Sequence, residues 1–149
     1  MSLDRILFFL VSAGLATAGF GMMFRTQYKS LLPGAIIAGI GYVLYEVVMQ
    51  ATASAAVASF AAAVFVGLAS EIAARKLKSP AVVFTTMGVI PLVPGAWLYR
   101  TMLHIVNADY ATATAVGLET IMIAGAIALA LGFSTVVARS ILRTGRKNG

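Results

Sequence analysis

The stretch of this sequence with the clearest chemical signature is rich in proline and glycine and lies inside a long apolar run. Within residues 88–95 it contains four residues that alter the backbone: Gly88, Pro91, Pro94 and Gly95. Each proline lacks an N–H donor and clashes with the preceding helical turn, and the glycines relax the backbone on either side. The pattern predicts two half-helices, about 80–88 and 95–107, joined by an unwound segment. Ser79 and Pro80 predict the start of the first, as an N-cap and a first-turn residue.

A half-helix that begins inside an apolar layer can bind an anion, because its first N–H groups are unpaired and its dipole is positive there. The amides of Gly95, Ala96 and Trp97 would open the second half-helix, and they suit a carboxylate. Three side chains flank the break and could hydrogen-bond a polar substrate: Thr85, Thr86 and Tyr99. The alternatives are a plain proline kink and, for the threonines, hydrogen bonds to their own helix.

Four ionisable side chains lie within apolar runs, where such groups are functional candidates by default. Glu46 and Glu119 have no basic residue near them in sequence, whereas Arg100 and His104 are four residues apart, on one face of a helix. We interpret the four as candidates for a gate or a proton carrier, with the two glutamates as the better proton carriers. An interfacial cluster of ion pairs is the alternative.

Composition excludes most of the chemistry of soluble enzymes. The chain has no cysteine and one histidine, so disulfides, thiolate metal sites and zinc sites lack ligands. Its five carboxylates are scattered, and neither a nucleotide-binding loop nor a nucleophile elbow can be read along the chain. We therefore expect no metal, no cofactor and no enzymatic activity.

Composition also places the chain in a lipid bilayer. Of its 149 residues, 60% are hydrophobic and 11% are charged, and the mean hydropathy is +0.95, whereas a soluble domain carries roughly 25% charged residues. A net charge of +6 would suit nucleic acid in a soluble protein, but these basic residues flank apolar runs, where they orient a membrane protein. The sequence predicts an integral membrane protein of one domain, with no nucleic-acid partner.

Five apolar runs are long enough to cross a bilayer. They are about 5–24, 30–50, 53–74, 80–107 and 115–138. A span needs about 20 residues, and its backbone groups must be paired internally, which favours helices. The fourth run would be about 42 Å long as one helix, beyond a hydrocarbon core of about 30 Å. The predicted fold is all-α, with about five transmembrane helices, the fourth broken near 88–95.

Basic residues are concentrated on one side of these spans. Nine of the eleven share the side of the C-terminus: Arg25, Lys29, Arg75, Lys76, Lys78, Arg139, Arg143, Arg146 and Lys147. The positive-inside rule predicts an N-terminus outside and a cytoplasmic C-terminus, with residues 139–149 as a basic cytoplasmic tail. The alternative is a cleaved signal peptide, since Ala16-Thr17-Ala18 follows an apolar stretch, but Asp4 weakens the basic start that such peptides need.

Small residues recur four positions apart within the spans. The pairs include Gly14 with Ala18, Ala35 with Gly39, and Ala124 with Ala128. Such pairs let helix backbones approach closely in lipid. Packing within the chain explains most of them, and this much small surface on five helices also suggests burial against a partner. The same faces permit a homo-oligomer.

Three motifs stand out as a set. They are Gly19-Phe-Gly-Met-Met-Phe24, Ser79-Pro-Ala-Val-Val-Phe84 and Gly88-Val-Ile-Pro-Leu-Val-Pro-Gly95, the last followed by Tyr99. Together they resemble the threonine/serine exporter family, in its smaller membrane unit, which is equivalent to the C-terminal half of fused members. The resemblance covers nearly the whole chain. Pro91, Pro94 and Gly95 match the motif position by position, whereas Arg100 is not part of the family pattern.

This resemblance implies a subunit of a secondary exporter in the bacterial inner membrane. Its cargo would be a small carboxylate-bearing metabolite, either threonine and serine or a dicarboxylate such as succinate, and the broken fourth span would line the path. A proton gradient is the expected drive, because no nucleotide motif is present. The resemblance also implies a companion, a separate multispan subunit that is the other half of the exporter. The alternatives are a non-transporting assembly subunit that stabilises the companion, and a channel.

Overall fold

The regular structure of residues 3–144, which the computed structural model describes, is entirely helical. These residues form α1 (Leu3–Met23), α2 (Tyr28–Thr52), α3 (Ala55–Leu77), α4 (Ala81–Val89), α5 (Gly95–Val106) and α6 (Tyr110–Thr144), with a 3-10 turn at Ile90–Leu92 between α4 and α5. Four helices, α1, α2, α3 and α6, are long and apolar enough to cross a membrane, and α4 with α5 forms a bent fifth candidate. The predicted all-α fold of about five spans, with the fourth broken, is confirmed.

The short half-helix α4 lies inside the bundle, against α2 and α3. Helices α1 and α2 pack side by side, and α3 packs between α2 and α6. In contrast, α5 lies beside α6 and beside no other helix of the described range. The two halves of the broken span therefore have different surroundings, one enclosed and one peripheral.

The two basic loops lie at the same end of the bundle. The hydroxyl oxygens of Ser30, in the first turn of α2, and Ser79, just before α4, are 3.5 Å apart. Helix α6 runs parallel to α3, with Gly67 against Ser134, so its last residues reach this end too. Loops 24–27 and 78–80 form this basic end, and loops 53–54 and 107–109 form the opposite, acidic end.

All four loops contain a left-handed residue. At Ala53 the N–H of that residue bonds to the Met49 carbonyl, and in the other three loops the following N–H closes the helix. Arg25, Lys78 and Ala108 have φ angles of 53°, 50° and 58°. The next amide then reaches back five residues, as in the 3.0 Å bond from the Ser79 N–H to the Ala74 carbonyl. This Schellman pattern favours glycine at the left-handed position. No glycine stands at these three left-handed positions. The sequence therefore marks these helix ends only by the charged residues in the loops.

Helix α6 is longer than the predicted span 115–138. It begins at Tyr110 and continues to Thr144, so the predicted tail, 139–149, begins within the helix. No glycine or proline interrupts the chain between 133 and 144, and the helix therefore has no local reason to stop at the membrane surface. Residues 145–149 of the predicted tail lie outside the described residues.

The start of α4 also differs from the prediction. Pro80 is the N-cap residue of α4, and no side chain among residues 3–144 caps this helix. The Ser79 hydroxyl instead donates to the carbonyl of Leu77 at 3.3 Å. The loop turns so tightly after Lys78 that Ser79 faces back toward α3.

The core is centred where α4 meets α2 and α3. Phe84 and Val66 are fully buried, and Met87 is nearly so. Glycines make room for these side chains: Gly88 lies against Val66, and a β-carbon at Gly34 would come within 2.8 Å of the Met87 sulfur. These contacts hold α4 inside the bundle.

The predicted small-residue pairs serve different surfaces. Gly39 packs so closely on α1 that a β-carbon there would lie 2.8 Å from the carbonyl oxygen of Leu10. Gly14 approaches the Ala35 carbonyl oxygen less tightly, at 3.5 Å from its β-position. Ala124 and Ala128, however, are exposed on α6. The first two pairs join α1 to α2, and the third leaves a smooth outer face.

The contact between α3 and α6 predicts an asymmetric effect of two glycine substitutions. At Gly67 an added methyl group would collide with the side chain of Ser134, whereas at Gly125 it would meet nothing within 4 Å. We expect Gly67→Ala to lower the free energy of unfolding by about 1–3 kcal/mol, because overpacking forces backbone shifts. Gly125→Ala should be neutral or stabilising, since alanine favours helix by about 1 kcal/mol. Thermal unfolding in detergent checks both, and equal effects would contradict the described α3–α6 contact.

Candidate functional site

The break in the fourth span is a tight turn at Val93 and Pro94. It bends the chain by 48° between the two halves of the pair. The Gly95 N–H donates to the Val93 carbonyl at 2.7 Å, around a Pro94 with φ −75° and ψ 52°, which closes an inverse γ-turn. The Leu98 N–H then donates to the Pro94 carbonyl at 3.0 Å and begins the regular helix.

This turn corrects the prediction for the free amides. Gly95 was predicted to offer its N–H to a ligand, but the γ-turn occupies it. Within residues 3–144, the N–H groups of Ala96 and Trp97 have no backbone acceptor. They are the free donors at the positive end of α5.

The broken segment lines a cavity of about 170 Å³. All residues from Pro91 to Trp97 contribute to its wall, together with Tyr42 and Tyr45 of α2, Ser59 of α3 and Ile123 of α6. A cavity of about 150 Å³ can hold a molecule the size of benzene. The space therefore suits a small metabolite. It lies nearer the acidic end, since Tyr45 is about two helical turns from the end of α2.

Ser59 gives this cavity its most informative polar group. Its side chain is 1% exposed, and its hydroxyl has no hydrogen-bond partner among the described residues. A buried hydroxyl without a partner costs free energy, and such groups in native proteins call for an explanation such as a bound ligand or water. Because Ser59 lines the cavity, a ligand there can supply the missing partner.

The predicted site residues are only partly brought together. Pro91, Pro94, Gly95 and Ala96 line the cavity, whereas Gly88, Thr85, Thr86 and Tyr99 do not. The Thr85 hydroxyl donates to the Ala81 carbonyl at 3.1 Å, which is the helix bond considered as its alternative. Gly88 is covered by Val66, and Tyr99 is 68% exposed on α5. A role in the substrate path stays a prediction for all eight residues.

Sequence reasoning missed the wall that other helices supply. Tyr42, Tyr45 and Ser59 precede the break by more than thirty residues, and only the fold places them beside it. The rings of Tyr42 and Tyr45 stack with centroids 5.7 Å apart. Ser59 lies in a run of alanines that is typical of close packing. The one available signal was a hydroxyl in an otherwise apolar helical face.

The two glutamates converge on Tyr45. Glu46 of α2 and Glu119 of α6 both lie close enough to act electrostatically on its hydroxyl. Both carboxylates are partly buried, and neither forms an ion pair with another described residue. Two acids from separate helices therefore act on Tyr45, which lines the cavity, although neither acid lines the cavity itself.

The predicted basic members of this group have other partners. The Arg100 guanidinium lies 5.7 Å from the ring centroid of Trp97, in cation–π range. The Nδ1 atom of His104 lies 3.2 Å from Oδ2 of Asp109. The four ionisable candidates thus divide into a glutamate pair beside Tyr45 and two local contacts on α5. Within residues 3–144, no cluster of three or more His, Asp or Glu side chains could hold a metal ion.

Asp109 fixes the start of α6. Its Oδ1 atom accepts the N–H of Thr112 at 3.2 Å, and its carbonyl accepts the N–H of Ala113 at 3.0 Å. This is the geometry of an N-cap. The hydrogen bonds from Thr112, with a smaller contribution from His104, hold the pKa of Asp109 below its usual range.

Comparison with known proteins decides the family. The family profile described as "Threonine/Serine exporter, ThrE" matches residues 9–137, which is most of the chain. The chain belongs to the threonine/serine exporter family. The resemblance carried by the three sequence motifs is confirmed, and membership of a transporter family points away from an enzyme.

Two curated relatives are longer than this chain. A protein described as "Threonine/serine exporter" from Corynebacterium glutamicum is 26% identical over 141 residues, which are 93% of this chain and 27% of the relative. An uncharacterized protein from Haemophilus influenzae is 28% identical over 104 residues, which are 69% of this chain and 35% of the relative. The chain therefore spans between a quarter and about a third of the length of these relatives. No solved structure matches it.

The cap at Asp109 predicts a pH dependence for this family member. Because the pKa of Asp109 is lowered on folding, its stabilisation is present above the unfolded-state pKa and is lost as pH falls through the folded-state pKa. We expect the thermal unfolding temperature of the native chain to fall more steeply in acid than that of Asp109→Asn, which keeps a capping oxygen. Asp4→Asn removes one charge at the same end and is the control. Parallel pH profiles for all three would contradict the assignment.

Proposed function

We propose that this chain is the small membrane subunit of a secondary exporter, and that the cavity beside the broken span is part of its substrate path. One observation carries the proposal: the unpaired, buried Ser59 hydroxyl lines the same cavity as the start of α5. Helix ends and buried hydroxyls are each common, but a cavity that contains both is built to bind a polar group. Family membership makes export the function that such a site would serve.

The start of α5 suits a carboxylate. The free N–H groups of Ala96 and Trp97 and the positive end of the helix dipole favour negative charge, and Ser59 can donate a further hydrogen bond. No basic side chain lines the cavity in the described residues. Binding would therefore depend on backbone and hydroxyl donors, as at other broken helices of transporters.

Two acids near Tyr45 suit an ammonium group, although neither of them lines the cavity. Glu46 and Glu119 flank Tyr45 and lack a cation among the described residues. A zwitterionic amino acid such as threonine or serine would complement both the start of α5 and these acids. Succinate would place a second carboxylate near two glutamates, and like charges at short range repel. The arrangement favours amino acids over dicarboxylates as cargo.

The same glutamates offer a route to proton coupling. A carboxylate within a span is expensive unless it binds a cation or a proton. Glu46 and Glu119 could therefore exchange a proton for the substrate ammonium, which would link export to a proton gradient. Because the proton and the substrate ammonium would compete for one pair of carboxylates, export would need no nucleotide.

The substrate path requires a companion subunit. Gly95 and Ala96 are exposed where the cavity opens, and α5 has no fully buried residue. The chain also spans at most about a third of its curated relatives. A second multispan subunit that covers α5 would close the cavity. The same exposed face also fits a non-transporting assembly role. In that case the chain would only stabilise its companion and would not itself carry cargo.

Ser59 provides the sharpest test of the cavity. We expect Ser59→Ala to raise the KM for threonine efflux by about 10–100-fold, since a hydrogen bond to a charged group contributes about 1.5–3 kcal/mol. Efflux is measured from preloaded cells that express this chain together with its companion, with unlabelled serine and succinate as competitors. The fold should be unaffected, because the hydroxyl has no partner within the described protein.

Ser70→Ala is the matched control for this test. Ser70 lies on the same helix, is fully buried and has an unpaired hydroxyl, but it does not line the cavity. Its replacement should leave efflux unchanged. Equal KM values for the two variants would contradict the proposal that the cavity is a substrate site. Loss of companion protein, with normal turnover of what remains, would favour the assembly role.

The proposed location is the bacterial inner membrane, with the basic end in the cytoplasm. The chain has no cysteine, so single cysteines report their own accessibility. We expect an impermeant maleimide to label Asn107→Cys at the acidic end in intact cells, and to label Lys29→Cys only after the cells are opened. The charge difference between the two ends is the physical reason. The reverse pattern would invert the predicted orientation.

A further inference from the structure

A second polar space lies at the basic end, remote from the cavity beside the break. Two adjoining cavities of about 260 and 220 Å³ share Phe24, Thr26 and Val83 in their walls. The larger lies between loops 24–27 and 78–80, and the smaller continues along α4 toward Met87. We call the two together the basic-end pocket.

Arg25 gives this pocket a positive charge. Its side chain lines the larger cavity, and no acidic side chain lines either cavity in the described residues. An arginine in a half-enclosed space without a carboxylate partner is suited to a planar oxyanion, such as a carboxylate or a phosphate oxygen pair. The described contacts of this chain do not neutralise it.

Two serine hydroxyls stand beside Arg25 with a poorly formed contact. Ser30 is 1% exposed, and its hydroxyl oxygen lies 3.5 Å from that of Ser79. An ordinary O–H···O hydrogen bond is about 2.5–3.0 Å long. A buried hydroxyl with so weak a partner leaves bonding capacity unused, and both serines line the larger cavity. The Ser79 hydroxyl donates over a long 3.3 Å to the Leu77 carbonyl. An oxyanion beside the two serines would accept a full-length bond from Ser30, and one from Ser79 if its hydroxyl turned away from Leu77.

The backbone also contributes positive electrostatic potential at this pocket. Helix α2 begins at Tyr28 and α4 begins at Ala81, and neither has a side-chain cap at its N-terminus. Both positive helix ends therefore meet at the loops that enclose the larger cavity. Arginine, hydroxyls and helix ends all favour the same sign of ligand charge.

We infer that the basic-end pocket binds an oxyanion group, which is either the carboxylate of the cargo or the phosphate of a lipid headgroup. The cargo reading rests on the proposed function, and it makes the pocket the place where cargo is held before it reaches the break. The smaller cavity ends at Met87, whose side chain fills the space that β-carbons at Gly21 and Gly34 would otherwise occupy. This flexible side chain lies between the basic-end pocket and the broken segment of the fourth span.

A binding assay tests the pocket without requiring transport. Gln27 lines the larger cavity, and its side chain makes no cap bond, so Gln27→Cys places a unique thiol there. The full chain is placed in phosphatidylcholine nanodiscs, and the rate of maleimide labelling is measured with added threonine or inorganic phosphate. A second preparation contains phosphatidylglycerol. We expect one of these oxyanions to slow labelling, and Arg25→Gln to weaken that protection about tenfold or more.

Lys29→Gln is the matched control, because it removes one positive charge at the same end but lines neither cavity. Protection that survives Lys29→Gln and is lost in Arg25→Gln supports the pocket. Protection by threonine identifies the cargo carboxylate, and protection by phosphatidylglycerol alone identifies a lipid phosphate. Equal labelling under all conditions, or equal loss in both variants, would overturn the inference.

Efflux assays separate this inference from the proposed function. If the chain exports nothing but threonine slows labelling of the Gln27→Cys variant, the pocket stands and the export proposal fails. If efflux is normal and Arg25→Gln changes neither protection nor the KM, the pocket fails and the export proposal stands. Ser79→Ala should behave as a weaker form of Arg25→Gln, since it removes one neutral donor from the same oxyanion site.

Discussion

A lipid bilayer offers no water to the backbone groups that a broken helix leaves unpaired. In this chain the turn at Val93 and Pro94 satisfies the Gly95 amide but leaves those of Ala96 and Trp97 without acceptors in the described residues. Such a segment is tolerated only against protein or beside a polar cavity. Helices α2, α3 and α6 meet this requirement on one side of the break, where the cavity with its tyrosines and Ser59 lies, whereas Gly95 and Ala96 are exposed on the other.

Close packing of small residues keeps α4 in place. Helix association in lipid depends on van der Waals contact, because burial of apolar surface gains little there. Gly34 and Gly88 allow Met87 and Val66 to lie directly against helix backbones, and α4 is enclosed as a result. Among the described helices, α5 packs on α6 alone, with Thr101 against Gly117, and has no fully buried residue. The break thus divides one span into an enclosed half and a half that is largely exposed in this chain.

Sequence reasoning found the elements of this fold more readily than the site. Charge, run length and the Pro–Gly stretch predicted the spans and the broken one, because these signals are local. The wall of the cavity was missed, because Tyr45 and Ser59 reach the break only through helix packing. Gly95 was assigned a free amide because a γ-turn around Pro94 cannot be distinguished from a simple helix start by composition. The helices that end at Arg25 and Lys78 lack the glycine that normally marks a helix end in a sequence.

The break also changes the electrostatics along the span. A continuous helix has one positive pole, at its N-terminus. Here α4 begins at the basic-end pocket and α5 begins at the cavity, so the chain presents two positive poles in series, one on each side of Met87 and Gly88. An anionic group that moves from the basic end toward the acidic end would meet the first pole and then the second. The prolines of the fourth span therefore create a second positive helix end, which an unbroken helix could not provide.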